Sequence, residues 1–164
     1  MKEKLQDTRQ SYEKGALDAQ NMSSDPMIQF QRWYEDYEKI QERDPNACLL
    51  ATADKEGRVT CRVLLLKGLD AGGMEFYTNY ESEKGQQLAE NPQAALTFFW
   101  PELERQVRVE GLVEKLRASQ SDAYFQSRPR GSQLGAWTSP QSEVISDRSE
   151  LEKRAQEVEE RYPE

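Results

Sequence analysis

Five short strand-like segments follow one another between residues 47 and 116, and they restrict the possible folds more than any other feature of the sequence. Apolar or alternating residues predict strands over 47–53, 59–67, 74–78, 94–100 and 106–116, with a loop over 68–73. Turn-forming residues separate the segments, and connections this short join antiparallel neighbours. We therefore predict a mostly antiparallel sheet or barrel with flanking helices, a mainly β member of the α+β class.

Helical patterns flank this region. Asp25 and Pro26 are typical of an N-cap and first helical position, and an apolar stripe of Phe30, Trp33, Tyr37 and Ile40 follows, with Pro45 as the expected end. Further helices are expected over 82–91 and 119–127, the latter broken by residues 128–131. A last helix is expected to start with a capping box of Ser149 and Glu152. Residues 1–24 are expected to form an arm, and residues 25–164 one domain.

The charge distribution argues against a nucleic-acid partner. The chain has 22 Lys and Arg against 30 Asp and Glu, a net charge of −8, and most of the acidity lies in the terminal segments. No apolar run approaches the roughly 20 residues of a membrane span. Two cysteines are too few for a disulfide framework, so we expect a cytoplasmic protein without a membrane partner.

The chain contains no histidine, which excludes a Ser-His-Asp or Cys-His catalytic arrangement within these residues. The two cysteines alone cannot complete a zinc site, so no metal is expected. The sequence also has no phosphate-binding loop of the Gly-Lys-Ser/Thr type. We therefore expect a bound cofactor to supply the chemistry.

Three clusters contain possible anion-binding residues. The first is the strand from Arg62 to Lys67, whose two cations belong on opposite faces. The second joins residues 76–79 to the helix start at Ser82 and Lys84, where free backbone N–H groups favour an anion. The third covers residues 124–137 and is rich in oxyanion donors. For each cluster alone, solvated surface charges or a simple helix cap remain the alternative.

Together, the stretches 62–67, 76–79, 103–107, 124–137 and 141–142 resemble the pyridoxamine 5'-phosphate oxidase family. The resemblance runs in one register from about residue 9 to the end. It implies an FMN-binding split β-barrel that forms a homodimer with FMN at the interface. The FMN contacts it implies are Arg62, Val63, Leu64, Leu65, Leu66, Lys67, Tyr77, Thr78, Lys84, Gln106, Gln141 and Ser142. The substrate contacts it implies are Arg9, Tyr12, Lys67, Tyr124, Arg128 and Ser132.

The sequence departs from the family in two places. Glu83 stands where the family usually has an arginine, and a carboxylate about 4 Å from the flavin phosphate would weaken FMN binding. The chain also ends at Glu164, where the family continues with a strand-rich segment that carries further flavin and substrate contacts. We therefore expect a shortened form of the family's domain.

The function implied by the resemblance is oxidation of pyridoxamine or pyridoxine 5'-phosphate to pyridoxal 5'-phosphate, with O2 as acceptor and hydrogen peroxide as product. No residue stands out as a general base. Two alternatives stay open: a split-barrel flavoprotein with another substrate, and a non-catalytic module that binds FMN or pyridoxal phosphate.

Overall fold

The computed structural model describes residues 6, 8, 11–70 and 72–163. Within these residues, the predicted α+β architecture is confirmed. The strands are β1 (Ala47–Ala53), β2 (Val59–Leu65), β3 (Gly68–Asp70), β4 (Gly73–Glu75), β5 (Gln93–Trp100) and β6 (Arg105–Leu112). The α-helices are α1 (Pro26–Glu38), α2 (Glu83–Glu90), α3 (Ala118–Ser127), α4 (Arg130–Thr138) and α5 (Arg148–Arg161). Short 3-10 helices span Ala19–Asn21 and Pro101–Leu103.

The main sheet has four antiparallel strands in the order β2-β1-β5-β6, and β3 and β4 form a separate hairpin. Residues of the main sheet alternate between its two faces, so Leu50, Phe98 and Trp100 are buried on one face. Helix α1 covers this face: the Phe30 ring meets the Phe98 ring edge-on at 4.7 Å, and Tyr37 lies 5.5 Å from Trp100. These aromatic contacts form the centre of the core.

The opposite face of the main sheet carries exposed apolar side chains. Leu49 is 44% exposed, Val63 66% and Phe99 60%. Leu49 is paired with Val63 across β1 and β2, so the two form one apolar surface. We call this surface the outer face.

Helix α1 begins as predicted. The Asp25 carboxylate accepts hydrogen bonds from the backbone N–H groups of Met27 and Ile28, and Pro26 is the first helical residue. The prediction that Pro45 ends the helix is wrong, because α1 ends at Glu38. Ile40 therefore lies outside the helix and is 51% exposed.

All four strands of the main sheet are predicted, two of them with ends that need correction, and the prediction for the region next to the sheet is wrong. The expected loop over 68–73 contains β3 and the first residue of β4, so there are six strands in the described residues instead of five. The strand expected over 74–78 ends at Glu75, and the strand expected over 59–67 ends at Leu65. The strand expected over 106–116 starts at Arg105 and ends at Leu112. In these short elements, tertiary contacts override the local apolar pattern.

Two helix predictions also need correction. Residues 128–131 do break α3, but a new helix, α4, starts at Arg130 because Pro129 can occupy an N-cap position. The N-cap of α5 is Asp147 and not Ser149: the Asp147 carboxylate accepts from the backbone N–H groups of Ser149 and Glu150. Within the described part of the chain, no helix is long and apolar enough to span a bilayer.

Candidate functional site

A large open cleft of about 1820 Å³ lies between strand β2, the start of α2, and helices α3 and α4. It brings together residues from all three clusters that the sequence singled out. The predicted residues that line it are Arg62, Val63, Leu64, Tyr77, Thr78, Lys84, Tyr124, Arg128, Ser132, Gln141 and Ser142.

Arg62 occupies the β2 wall of the cleft, and its side chain is only 20% exposed. One guanidinium nitrogen donates to Thr52 Oγ1 at 2.5 Å and to the Thr60 carbonyl at 3.3 Å. The other donates to Thr60 Oγ1. Both hydroxyls in turn donate to Gln87 Oε1, from Thr52 at 2.5 Å and from Thr60 at 2.9 Å. Arg62 is therefore held in one orientation by neutral partners.

Lys84 lies in the first turn of α2, whose N-cap is the fully buried Ser82. Its Nζ donates to Ser82 Oγ at 3.2 Å and to Gln141 Oε1 at 2.8 Å. Partial burial and the nearby positive charge of Arg62 lower the pKa of Lys84 below its usual range, although Glu83 acts in the opposite direction. Two cations that repel each other at a helix N-terminus form a favourable site for an anion.

Gly85 lets the start of α2 approach the chain that precedes it. A Cβ at this position would lie 2.3 Å from the Tyr80 carbonyl oxygen and 2.7 Å from that of Asn79. Any side chain here would push α2 away from residues 79–80. Gly85 therefore keeps Lys84 against the wall of the cleft.

Glu83 is an acidic residue beside this cationic pair. Its carboxylate lies 3.9 Å from the Arg62 guanidinium. The same side chain is 55% exposed, so solvent screens this contact. The Glu83 carboxylate thus lies next to the cationic pair that is the candidate phosphate site.

Tyr77 and Thr78 lie between two parts of the cleft: the first part contains Arg62 and Lys84, and the second contains Tyr124 and Arg128. The Thr78 Oγ1 atom is buried and has no hydrogen-bond partner among the described residues. Buried hydroxyls normally have a partner, so this one is suited to a polar atom of a ligand. The Tyr77 ring stacks on the Tyr124 ring, with the centroids 3.7 Å and the planes 8° apart. A predicted FMN contact, Tyr77, is therefore in direct contact with a predicted substrate contact, Tyr124.

The second part of the cleft is formed where α3 ends and α4 begins. Arg128 caps α3, and its guanidinium lies over the Phe125 ring at 5.9 Å. Ser132 lies in the first turn of α4, and its backbone N–H donates to the Pro129 carbonyl at 2.8 Å. Gln133 donates to the Arg128 carbonyl at 2.8 Å and stabilises the junction. A cation and a hydroxyl at this junction are donors that suit an oxyanion.

Some predicted residues do not line the cleft. Gln106 is paired with Phe99 and so belongs to the outer face, opposite Arg62. Leu66 is buried in the core, whereas Leu65 is half-buried and lies on the same face of β2 as Val63. Lys67 is exposed, with its backbone N–H bonded to the Glu75 carbonyl at 2.8 Å. Tyr12 is 81% exposed on the arm. Arg9 lies outside the described residues.

The arm is attached to residues that do not line the cleft. The backbone N–H groups of Glu13 and Lys14 both donate to the Glu104 carboxylate, at 2.7 and 2.8 Å. Lys14 also donates to the Glu102 carbonyl at 2.7 Å. These contacts hold the arm at the turn between β5 and β6.

Thr52, Thr60 and Gln87, which hold Arg62, are not among the site residues predicted from the sequence. Thr60 and Arg62 are two residues apart on one strand and so share a face, a signal that was available. Thr52 lies in the neighbouring strand, and Gln87 lies on a helix. Their meeting depends on tertiary structure and has no local signal.

Comparison with known proteins gives one consistent result. Residues 37–162 match the family described as Pyridoxamine 5'-phosphate oxidase. A Pseudomonas paraeruginosa protein named pyridoxine/pyridoxamine 5'-phosphate oxidase is 55% identical, over 99% of this chain and 76% of its own length. A Salinibacter ruber protein of the same name is 50% identical, over 97% of this chain and 74% of its own length. The chain thus spans about three quarters of the length of these relatives.

Two solved structures share the fold. PhzG from Burkholderia lata 383, in complex with tetrahydrophenazine-1-carboxylic acid, has a TM-score of 0.81 and 29% identity, and covers 87% of this chain and 72% of its own. A pyridoxamine 5'-phosphate oxidase-related, FMN binding protein from Nostoc punctiforme has a TM-score of 0.61 and 21% identity, over 80% of this chain and 73% of its own. The second likeness concerns the fold alone.

Proposed function

This chain belongs to the pyridoxamine 5'-phosphate oxidase family, and on that premise we propose that it oxidises pyridoxamine or pyridoxine 5'-phosphate to pyridoxal 5'-phosphate. The proposed acceptor is O2, and the proposed second product is hydrogen peroxide. FMN is the cofactor. The observation that carries the proposal is that two sets of anion-binding side chains, around Arg62 and around Arg128, line one cleft.

The first set fits the phosphate of FMN. Arg62 and Lys84 supply positive charge at the N-terminus of α2, and partial burial strengthens their attraction for an anion. Thr78 supplies a buried hydroxyl that has no partner within the described residues. Ser142 and Gln141 complete this side of the cleft, where Gln141 already accepts a hydrogen bond from Lys84. When bound, the flavin ring supplies the chemistry, accepting a hydride and passing electrons to O2.

The second set fits the phosphate of the substrate. Arg128 and Ser132 offer charged and neutral donors at the junction of α3 and α4, and Tyr124 lies beside them. Anchoring the phosphate there would orient the reacting carbon towards the first set, and this positioning is the main task of the protein. The proposed role of Lys67 rests on the family resemblance alone, as do those of Arg9 and Tyr12.

We propose that the protein is a homodimer that buries the outer face. Leu49, Val63 and Phe99 form an exposed apolar surface there, and such surfaces are typical of subunit interfaces. Gln106 lies on the same face. A second copy covering this surface would bring Gln106 into an interface, which agrees with its proposed role at a shared FMN site. A location in the cytoplasm stays a prediction based on the two cysteines.

PhzG favours a second candidate, an oxidase with another substrate. Its structure contains tetrahydrophenazine-1-carboxylic acid, a compound without a phosphate. The donors around Arg128 favour a phosphorylated substrate instead, because a carboxylate ligand does not require a second phosphate site. A non-catalytic binding module is the third candidate.

The test is aerobic turnover by the purified, FMN-saturated chain. We expect a yellow protein that converts pyridoxamine 5'-phosphate to pyridoxal 5'-phosphate and releases equimolar peroxide, whereas unphosphorylated pyridoxamine reacts far more slowly. A yellow protein that does not oxidise pyridoxamine or pyridoxine 5'-phosphate would overturn the proposed reaction. Equal rates with phosphorylated and unphosphorylated amines would overturn the proposed role of Arg128 and its neighbours.

A further inference from the structure

We propose that Gln87 is a positioning residue, which acts through Thr52 and Thr60 to hold the Arg62 guanidinium in the orientation that binds the FMN phosphate. This inference rests on the proposed function. It concerns three residues that do not belong to the predicted binding set. Thr60 lines the cleft, whereas Thr52 and Gln87 are buried and do not line it.

The directions of the hydrogen bonds follow from the chemistry of the groups. A guanidinium has only donors, so the hydroxyls of Thr52 and Thr60 must accept from Arg62. Each hydroxyl has a single proton, which is then directed to Gln87 Oε1, at 2.5 Å from Thr52 and 2.9 Å from Thr60. One amide oxygen therefore fixes both hydroxyls, and the two hydroxyls fix both terminal nitrogens of Arg62.

The network is buried, which makes its geometry rigid. Thr52 is 2% exposed and Gln87 is 6% exposed, so water does not compete freely for these groups. In a site of low dielectric constant such bonds are stronger than in water, and leaving one partner unsatisfied is costly. Arg62 cannot change its orientation without breaking several of them.

The hydrogen bonds that hold Arg62 go to neutral partners, and the Glu83 carboxylate lies beyond hydrogen-bond distance, at 3.9 Å, with its side chain 55% exposed. All its hydrogen bonds are to hydroxyl or carbonyl oxygens, of Leu50, Thr52 and Thr60. A carboxylate in the same place would orient the guanidinium equally well, but it would neutralise the charge that attracts a phosphate. This choice of partners is suited to anion binding.

Helix α2 controls both cations of the site. Lys84 lies in its first turn, and Gln87 lies three residues later on the same side of the helix. The helix thus carries one cation and, through Gln87, orients the other. The spacing between the two cations depends on the packing of α2 against β1 and β2.

The proposal is tested by replacing Thr60, which is only partly buried, with Val, and by replacing Gln87 with Met. Thr60→Ser is the rescue variant, because it keeps the hydroxyl. Thr138→Val is the matched control, because Thr138 is a partly buried threonine outside this network, whose hydroxyl donates to the Leu134 carbonyl at 3.0 Å. For each protein we would measure the dissociation constants of FMN and of riboflavin, which lacks the phosphate, together with the thermal unfolding temperature of the FMN-free form.

We expect Thr60→Val and Gln87→Met to weaken FMN binding about tenfold, the effect of one or two lost hydrogen bonds, and to leave riboflavin binding within about twofold of the wild type. Thr60→Ser and Thr138→Val should bind both flavins as the wild type does. In an Arg62→Gln background, Thr60→Val should weaken FMN binding no further, because the residue that it positions is gone.

Two results would overturn the inference: equal losses for FMN and riboflavin, or a full effect of Thr60→Val in the absence of Arg62. Either would mean that the network only supports the fold. A wild-type protein that binds no FMN would instead overturn the proposed function itself, so the two failures are distinguishable.

Discussion

The carboxylate of Glu83 lies 3.9 Å from the guanidinium of Arg62, at the end of the cleft where α2 begins. Arg62 is mostly buried and Glu83 is 55% exposed, so the cation is fixed and the anion can move into solvent. A phosphate that binds Arg62 must therefore compete with a carboxylate supplied by the chain itself. FMN affinity is then set partly by this competition.

Replacing Glu83 with Gln should tighten FMN binding. A half-exposed ion pair contributes about 0.2–1 kcal/mol, so we expect up to about fivefold tighter binding, and more with Glu83→Arg, which also adds a cation. Equilibrium fluorescence titration of the FMN-free protein measures the effect. Glu81→Gln is the matched control, since it removes the same charge from a neighbouring exposed position. Unchanged affinity in Glu83→Arg would contradict the account.

The affinity for FMN should fall as the pH rises into the alkaline range. The pKa of Lys84 lies below that of an ordinary lysine because of burial and the charge of Arg62, so Lys84 loses its proton earlier than a surface lysine does. The protonated form binds the phosphate, and deprotonation weakens binding. Lys84→Arg should remove this pH dependence, because arginine stays charged. The same slope of affinity against pH in both proteins would show that another group titrates.

Replacing Arg128 with Ala should raise the KM for pyridoxamine 5'-phosphate at least about tenfold and change the FMN dissociation constant much less. The reason is the loss of a charge-assisted hydrogen bond to the substrate phosphate. Arg130→Ala removes the same charge two residues away, where the side chain is exposed and bonded to the Tyr162 carbonyl. Steady-state kinetics and flavin titration measure both constants. Equal effects of Arg128→Ala on substrate and FMN would contradict the assigned role.

Replacing Phe99 with Glu should shift the protein from dimer to monomer. The substitution puts a charge on the outer face, where a second copy would bury it without a partner. Val144→Glu is the control, because Val144 is fully exposed outside the sheet. Sedimentation velocity distinguishes the two states. A wild-type protein that is monomeric at micromolar concentration would contradict the proposed dimer.

The sequence predicted elements whose signals are local. Asp25 and Pro26 specify the start of α1, because the Asp25 side chain caps the helix and Pro26 is suited to the first helical position. The predicted bounds of β1 and β5 agree with the observed bounds to within one residue. Helix α4 was missed because Pro129 is typical both of a helix break and of a helix start. The hairpin of β3 and β4 lies where the sequence predicts a loop, since three-residue strands carry no measurable period.

The candidate site was predictable in part, because some of its residues also have local sequence signals. Arg62, Lys84 and Arg128 stood out by their charge and their sequence context, and the cleft contains all three. Gln106 was assigned by the resemblance, which gives no face of the sheet, and it lies on the outer one. Gln87 has no local sequence signal. It contacts the hydroxyls of Thr52 and Thr60 only because α2 packs against β1 and β2 in the folded protein.

The central claim is that two phosphate groups bind in one cleft at the same time. It is tested most directly by titrating 4-deoxypyridoxine 5'-phosphate, which has neither an oxidisable group nor an aldehyde at its 4-position, into the FMN-saturated protein while free flavin fluorescence is recorded. The account predicts saturable binding of the vitamer with no release of flavin. Release of FMN in proportion to the vitamer bound would mean that the two phosphates share one site, and would contradict it.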